Sequence, residues 1–303
     1  MAKESKKFGN SKTAMIIMVF ILAIYSLVLI LMYLWGISTS LKSVLDYESN
    51  KIWLPSGSIG SWSWQNYSKV LEIMKLPVMQ WNGGEGKRVT YNAIGELKNS
   101  LIYAIGSPLI TLTTTWIVAY CLSRFPNKFS KIVYTANIIF MMIPLIGNLP
   151  SALQVYRALK LYDTWGYIFV SSISFLGSNL LIFHSFLNGI GKEYSESALI
   201  DGANNFTVML KIIFPLCSQM FLILFIMAFV VKWNDYMTMV IWMPGHPTIS
   251  YGVLKVSSST SLEAAFPPVK IAACVVLMVP VIVLFLIFQD KMMGNLRMGA
   301  LKG

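Results

Sequence analysis

Residues able to do chemistry are few along this chain, and most of them lack partners. The stretch Gly83-Gly84-Glu85-Gly86-Lys87-Arg88 looks superficially phosphate-binding. A P-loop, however, needs Gly-x-x-x-x-Gly-Lys followed by Ser or Thr, because the hydroxyl holds the magnesium ion. Here Arg88 follows the lysine, and Trp81 stands where the first glycine should be. His184 and His246 have no metal-ligand spacing around them, and the three cysteines, Cys121, Cys217 and Cys274, each sit in an apolar run. Zinc, disulfide and nucleophile readings therefore fail, and no Gly-x-Ser-x-Gly or His-Glu-x-x-His string is present.

One segment is different. Between Glu193 and Leu216 the chain reads Glu-Tyr-Ser-Glu-Ser-Ala-Leu-Ile-Asp-Gly-Ala-Asn-Asn-Phe-Thr-Val-Met-Leu-Lys-Ile-Ile-Phe-Pro-Leu. Ser195 is a plausible N-cap, with Glu196 favourably placed in the first turn. Ala198, Leu199 and Ile200 carry a short helix to Gly202, where a positive φ lets the chain turn. A second helical stretch begins near Asn205 and leads to Pro215, whose missing N–H is best tolerated in a first turn. Helix, turn, helix at the foot of an apolar run is an element that could pass force between a soluble partner and a membrane core.

The elements that must position this segment are set by composition. Of 303 residues, 56% are hydrophobic and 12% charged, with a mean hydropathy of +0.64. Soluble domains carry about 25% charged residues. Disorder needs the opposite composition. The chain is therefore an integral membrane protein. Its formal charge of +11 sits in basic residues that flank the apolar runs, which suits lipid head groups rather than nucleic acid.

A bilayer core of about 30 Å needs roughly 20 apolar residues in a helix. Six runs qualify: about 13–37, 99–123, 132–156, 164–190, 212–232 and 271–289. The uncharged stretch 237–254 is broken by Pro244, Gly245 and Pro247, and reads as an external loop extending the fifth helix. Lys3, Lys6, Lys7 and Lys12 precede the first run as in a signal peptide, but the run is too long for one, so it reads as a retained anchor. Six spans place residues 1–12 and 290–303, both termini, in the cytoplasm. Residues 13–289 form one six-helix domain, with an external segment at 42–98 and a cytoplasmic loop at 192–211. Lys and Arg are roughly twice as dense on the expected inside, which supports this orientation. In the external segment, Trp53, Trp62, Trp64, Tyr67 and Trp81 could stack on sugar rings, but interfacial-belt or packing roles fit them better.

Apart from Lys232 at the very edge of the fifth, none of the six runs contains Asp, Glu, Lys or Arg. Ion-driven carriers place ionisable groups inside the membrane, because the coupling ion needs a ligand there. An ion-coupled secondary transporter is the alternative reading, and this absence disfavours it. An intramembrane enzyme lacks any acid–base or metal constellation. Any energy this protein uses comes from another polypeptide.

The 193–216 segment resembles the EAA loop of ABC-importer permeases, Glu-Ala-Ala-x-x-x-Gly-x9-Ile-x-Leu-Pro. Glu196, Ala198, Gly202, Ile212 and Pro215 match; Ser197 and Phe214 depart from Ala and Leu. The string from Ala198 through Asp201 and Gly202 to Ala203 is similar to the carbohydrate-uptake, maltose-importer-like branch, as is Trp233-Asn234-Asp235. The chain's end, through Gly299, Lys302 and Gly303, resembles the tail of that branch's second permease subunit. The resemblance implies an all-α type I importer permease fold with six transmembrane helices and a cytoplasmic coupling helix. It implies a second, similar permease, two cytoplasmic ATPase subunits that bind ATP and magnesium, and an extracellular solute-binding protein. It also implies import of a carbohydrate, of oligosaccharide size, across a bacterial cell membrane. Glu196 and Asp201 would meet basic or polar groups of an ATPase, and the tail would insert between the two ATPases. This chain would hold no cofactor or metal and bind no nucleic acid. Sugar recognition uses aromatics and amides, so Asn179, Phe183, Trp233 and Asn234 are candidates for the substrate pathway.

Overall fold

The computed structural model describes residues 2–82, 85–144, 146–260 and 265–293. Helix α1 (Ala2–Ser40) leads into α2 (Val44–Ser49), a 3-10 turn (Ile59–Ser61) and α3 (Gln65–Ile73). An antiparallel hairpin follows, β1 (Leu76–Asn82) with β2 (Glu85–Tyr91). Next come α4 (Ala93–Arg124), α5 (Lys128–Met142), α6 (Leu149–Ala158), α7 (Trp165–Ser172) and α8 (Ser178–Asn188). After α9 (Glu193–Ile200) and α10 (Asn205–Thr207), a π-helical segment (Val208–Ile213) runs into α11 (Phe214–Trp233). The described chain closes with α12 (Met237–Trp242), α13 (Ile249–Ser258) and α14 (Pro267–Met293). The fold is mostly helical, as the composition demands, and the hairpin at 76–91 is its departure from an all-α reading.

Among the described residues, four helical stretches are long and apolar enough to cross a membrane: Lys12–Ser40, Ala93–Arg124, Asn205–Trp233 and Pro267–Lys291. They contain the expected spans 13–37, 99–123, 212–232 and 271–289. The other two expected spans are not single rods. The run 132–156 stops at Met142, before Pro144, and resumes at Leu149 after Gly147 turns at φ 77°. The run 164–190 is broken at 173–177, between α7 and α8, where Gly177 has φ 128°. Run length reports hydrophobicity but not these turns.

The 173–177 break survives because its polar backbone is paired. Unpaired N–H and C=O groups cost several kcal/mol in an apolar medium. Thr111 Oγ1 donates to the Ser172 carbonyl at 2.7 Å, and Thr114 and Thr115 Oγ1 both donate to the Ser174 carbonyl at 2.9 Å. From the other side, fully buried Asn137 accepts the Gly177 N–H at 2.6 Å and donates to the Gly177 carbonyl at 3.3 Å. The β-hydroxyl face of α4 and one asparagine of α5 thus replace the helical ladder.

The chain divides into two compact units, Met1–Ile73 with Lys255–Met278, and Met74–Leu254 with Val279–Gly303. In the first, Asn66 Nδ2 bridges the carbonyls of Ser40 and Lys42 at 2.9 and 2.8 Å, and Tyr67 meets Ser40 Oγ at 2.7 Å, tying α3 to the end of α1. Lys42 is fully buried, with Nζ donating to the Asn50 carbonyl at 2.6 Å; burial pulls its pKa below the ordinary lysine range, against the opposing pull of Asp46.

In the second unit α4 packs on α8 and α11. Leu112, Trp116, Ala119 and Tyr120 of α4 meet Leu180, Phe183 and Leu187 of α8, with Ile213, Cys217 and Leu224 closing the core. The stretch 237–254, expected as a loop, is mostly helical in α12 and α13; only 243–248, with Pro244, Gly245 and Pro247, breaks it. Asp163 organises it. Its Oδ1 accepts the Gly245 N–H at 2.7 Å, its Oδ2 accepts the Trp81 N–H at 3.1 Å, and its own N–H donates to the Trp242 carbonyl at 2.9 Å. The hairpin is thereby pinned to that loop.

The helix α4 starts earlier than expected. Asn92 caps it, accepting the Gly95 N–H at 2.9 Å, so Glu96 falls inside a helix of spanning length. Glu96 is fully buried, and neither carboxylate oxygen has a hydrogen-bond partner among the described residues. The expectation of charge-free spans therefore holds for the run 99–123 but not for all of α4.

Replacing Asn137 with Leu, close in size, tests the paired break. It orphans the Gly177 N–H and carbonyl, each worth about 1–3 kcal/mol when left unpaired. Thermal unfolding of the detergent-solubilised protein should shift to lower temperature. An unchanged transition would mean that the break does not depend on Asn137.

Candidate functional site

The candidate site is built on α9 and the turn that follows it. Helix α9 begins at Glu193 rather than at a Ser195 cap, because the Lys192 carbonyl accepts from the N–H groups of Ser195 at 2.9 Å and Glu196 at 3.0 Å. Ser195 instead lies within the helix, half-buried. Ser197 Oγ turns back on its own helix and donates to the Glu193 carbonyl at 2.8 Å.

The C-terminus is a two-bond turn of the Schellman type. The Ala203 N–H donates to the Ala198 carbonyl at 3.0 Å, and the Gly202 N–H donates to the Leu199 carbonyl at 3.1 Å. Asp201 is the C-cap, and Gly202 takes the left-handed conformation at φ 85°. Beyond it, Asn204 caps α10 by accepting the Thr207 N–H at 2.8 Å. Two short helices are thus joined by a turn whose backbone groups are satisfied locally.

The second stretch continues into α11 through the π-helical segment at Val208–Ile213. Pro215 explains the wider winding. It offers no N–H, and its ring crowds the carbonyl four residues earlier, at Lys211. A π turn, in which the Phe214 N–H reaches back to the Met209 carbonyl, opens room for that ring. Pro215 then sits in the first turn of α11, the place the sequence reading gives it.

One side of this element is anchored. Ala198, Ala203, Met209, Ile212 and Phe214 all pack against the core of α4, α8 and α11. Phe214, one of the two departures from the resembled pattern, stands edge-on to Trp116 at 5.1 Å and to Phe221 at 5.6 Å. The larger ring fills a place beside tryptophan that a leucine would fill less completely. Ala198 is small enough to bring α9 close to that core.

The opposite side is bare. Ile200 is 85% exposed, Phe206 66%, Tyr194 55% and Leu199 45%, while Glu193, Glu196, Ser197 and Asp201 stand exposed around them. Large apolar side chains rimmed by charge mark a docking face. Covering one such side chain completely is worth about 1.5–3 kcal/mol. Glu196, Ser197 and Asp201 of the sequence reading lie on this face, whereas Ala198, Ala203 and Ile212 lie on the anchoring side. Tyr194, Leu199, Ile200 and Phe206 escaped the sequence reading. No local signal marked them, because their exposure shows only in the folded chain.

The candidate substrate residues fall in different settings. Phe183 is fully buried in the core, near Phe221 at 6.0 Å, and Trp233 is buried and stacked on Phe229 at 5.7 Å. Asn179 is half-buried in the first turn of α8. Asn234 is exposed, caps α11, and donates from Nδ2 to the Val230 carbonyl at 2.8 Å. Its neighbour Asp235 holds a tighter cluster, accepting from Tyr103 Oη and Thr238 Oγ1 at 2.6 Å each and from the Thr238 N–H at 3.0 Å. Burial pushes this carboxyl up, but these donors and Lys232 outweigh it and hold it below the ordinary aspartate range. The stabilisation is present at neutral pH and is lost as pH falls through the lowered folded-state value. Gly299, Lys302 and Gly303 lie outside the described residues. Among the described residues no cluster of His, Cys, Asp or Glu could hold a metal.

With this geometry in hand, the comparisons with known proteins are specific. The family described as binding-protein-dependent transport system inner membrane component matches residues 111–293. The sulfoquinovosyl glycerol transport system permease protein of Agrobacterium fabrum is 30% identical over 211 residues, covering 68% of this chain and 73% of that protein. The melibiose/raffinose/stachyose import permease protein of Bacillus subtilis is 26% identical over 276 residues, 88% of this chain and 89% of that one. In fold, the chain is similar to a chain in the crystal structure of a bacterial ABC transporter involved in the import of the acidic polysaccharide alginate. The TM-score is 0.71 at 18% identity, over 91% of this chain and 95% of the other. Apolar helices of spanning length and a family match over most of the chain lead to one conclusion: this multi-pass membrane protein belongs to the inner membrane components of binding-protein-dependent transport systems, and is an ABC-importer permease rather than an enzyme.

Proposed function

We propose that this chain carries an oligosaccharide across the membrane as one half of a permease pair, with α9 as the element that receives force from an ATPase. The observation that carries the reading is the two-sided α9 element. Its small-residue side is locked to the core, and its apolar and acidic side is open to a partner. The match of Glu196, Ala198, Gly202, Ile212 and Pro215 to the EAA pattern supports the same role. A second, similar permease would complete the pathway, two cytoplasmic ATPases would bind α9 and its counterpart, and a solute-binding protein would deliver the cargo outside. Both termini would be cytoplasmic, and the tail with Gly299, Lys302 and Gly303 would reach the ATPases. The ion-coupled alternative has no support from the comparisons.

The cargo class follows from the relatives, whose names specify sulfoquinovosyl glycerol, trehalose and the melibiose, raffinose and stachyose group. Asn179 and Asn234 are proposed to line the sugar's path. Phe183 and Trp233 are assigned to packing beside it, since their rings are already occupied by neighbours. Co-purification of the assembled importer with its binding protein, followed by mass spectrometry of bound small molecules, tests the cargo. Bound di- to oligosaccharide is the expected result; amino acids or peptides alone would overturn the carbohydrate reading.

Gly202 tests the coupling. A Cβ added there meets nothing within 4 Å, so any cost comes from the backbone alone. Val at φ 85° is strained by about 1–2 kcal/mol or more, whereas Asn tolerates that region. Gly202→Val should therefore hydrolyse ATP with little uptake in reconstituted vesicles, and Gly202→Asn should keep uptake near wild type. Wild-type uptake in both variants would remove the turn from the mechanism.

A further inference from the structure

A cavity of about 480 Å³ lies where the C-terminal end of α4, the start of α5, the end of α8 and the cap of α9 meet. Its lining is unusual for a membrane protein, because it offers donors and no carboxylate. Lys131 of α5 and Lys192, the N-cap of α9, both line it. Neither ammonium has an ion-pair partner among the described residues. Both are exposed and lie on separate elements, so an anion entering the cavity can meet two positive charges at once.

The rest of the lining is polar, and part of it is paired within itself. Ser123 Oγ donates to Asn188 Oδ1 at 2.7 Å, which occupies the acceptor of that amide. The amide nitrogen then faces the His184 ring at 3.3 Å, and His184 is held against the Tyr134 ring at 4.7 Å. Beside the cavity, Arg124 donates through Nη1 to the Ile190 carbonyl at 3.2 Å, two residues before Lys192, and adds further positive charge. Among these elements α4 is of spanning length and ends at Arg124, where the head groups of a bilayer would meet it.

We propose that this cavity binds a phosphate-bearing anion, either the headgroup of an anionic phospholipid or a free phosphate, between Lys131 and Lys192. Nothing in the transport cycle as described uses these two lysines. Because Lys192 is the cap residue of α9, an occupied cavity ties the start of the docking helix to α4, α5 and α8. The consequence for coupling rests on the assignment of α9 as the ATPase-docking helix; the binding itself does not.

The test uses the assembled, detergent-solubilised importer and two probes, phosphatidylglycerol followed by native mass spectrometry and inorganic phosphate followed by calorimetry. Lys131→Gln with Lys192→Gln is compared with Lys87→Gln with Arg88→Gln, which removes the same charge from the distant hairpin. All four side chains are exposed, and subunit assembly checks that each variant folds. The expected result is a loss of about tenfold or more in binding of one probe by the cavity variant alone, a size set by two lysines acting on one phosphate. Loss of phosphatidylglycerol identifies a lipid, and loss of inorganic phosphate identifies a free ion. Equal binding by the two variants, or no binding of either probe by wild type, overturns the proposal. Because binding is read directly, such a failure leaves the coupling role of α9 to be decided separately by the Gly202 variants.

Discussion

The contact on which the rest depends is the edge-to-face packing of Phe214 on Trp116, 5.1 Å between centroids. It joins the last residue before Pro215 to the C-terminal part of α4, and so fixes where the segment after α9 enters the core. Tryptophan and phenylalanine bring large buried area and a preferred ring geometry, worth about 0.5–1.5 kcal/mol beyond the area alone. Around this pair, Ile213 and Cys217 pack inward, and Ala198 and Ala203 bring α9 within reach of the same cluster. Helix α9, Phe214 and α4 thus share one packed cluster, the route by which a force on α9 would reach the core.

Stiffness of that kind requires that the helices on either side tolerate interruption, and the chain manages this by pairing backbone groups across elements. Three threonines of α4 cap the carbonyls at the end of α7, and Asn137 of α5 holds both backbone groups of Gly177. The same economy appears at Asp163, whose carboxylate holds the backbone of both the hairpin and the loop after α12. Asp163 itself is in the left-handed region at φ 59°, a conformation aspartate tolerates better than most residues. Polar side chains in this protein serve chiefly to fix irregular backbone, which is why so few of them resemble catalytic machinery.

The sequence made the membrane character, four of the long helices and the helix–turn–helix after residue 192 legible, because each rests on a local signal. Hydropathy finds long apolar helices, and Gly202 with Pro215 marks its turn and its helix start without reference to anything distant. The breaks at 143–148 and 173–177 were not legible. The second is held by hydroxyls and an amide some 40 to 60 positions away, and a hydropathy window sees only uncharged residues. The hairpin was hidden for a related reason. Its strands alternate half-buried Leu76, Val78 and Gln80 with exposed Pro77, Met79 and Trp81, a period-two pattern diluted by Pro, Gly and charge. Within the site, the carboxylates and the glycine stood out by spacing. The exposed Tyr194, Leu199, Ile200 and Phe206 did not, since an apolar residue announces its role only when its exposure is known. The burial of Phe183 and Trp233 was likewise invisible, because an aromatic suited to stack on sugar is equally suited to stack on Phe221 or Phe229.

The central claim is that the exposed face of α9 is covered by an ATPase subunit in the working importer. The most direct measurement places a photo-activated benzoylphenylalanine at Ile200, the most exposed large apolar side chain on α9, in the assembled complex, and identifies the cross-linked polypeptide by mass spectrometry. The account predicts a cross-link to the ATPase subunit from position 200 and none to it from the same probe at Trp81 on the hairpin. Cross-links from position 200 confined to lipid or to the other permease would contradict it.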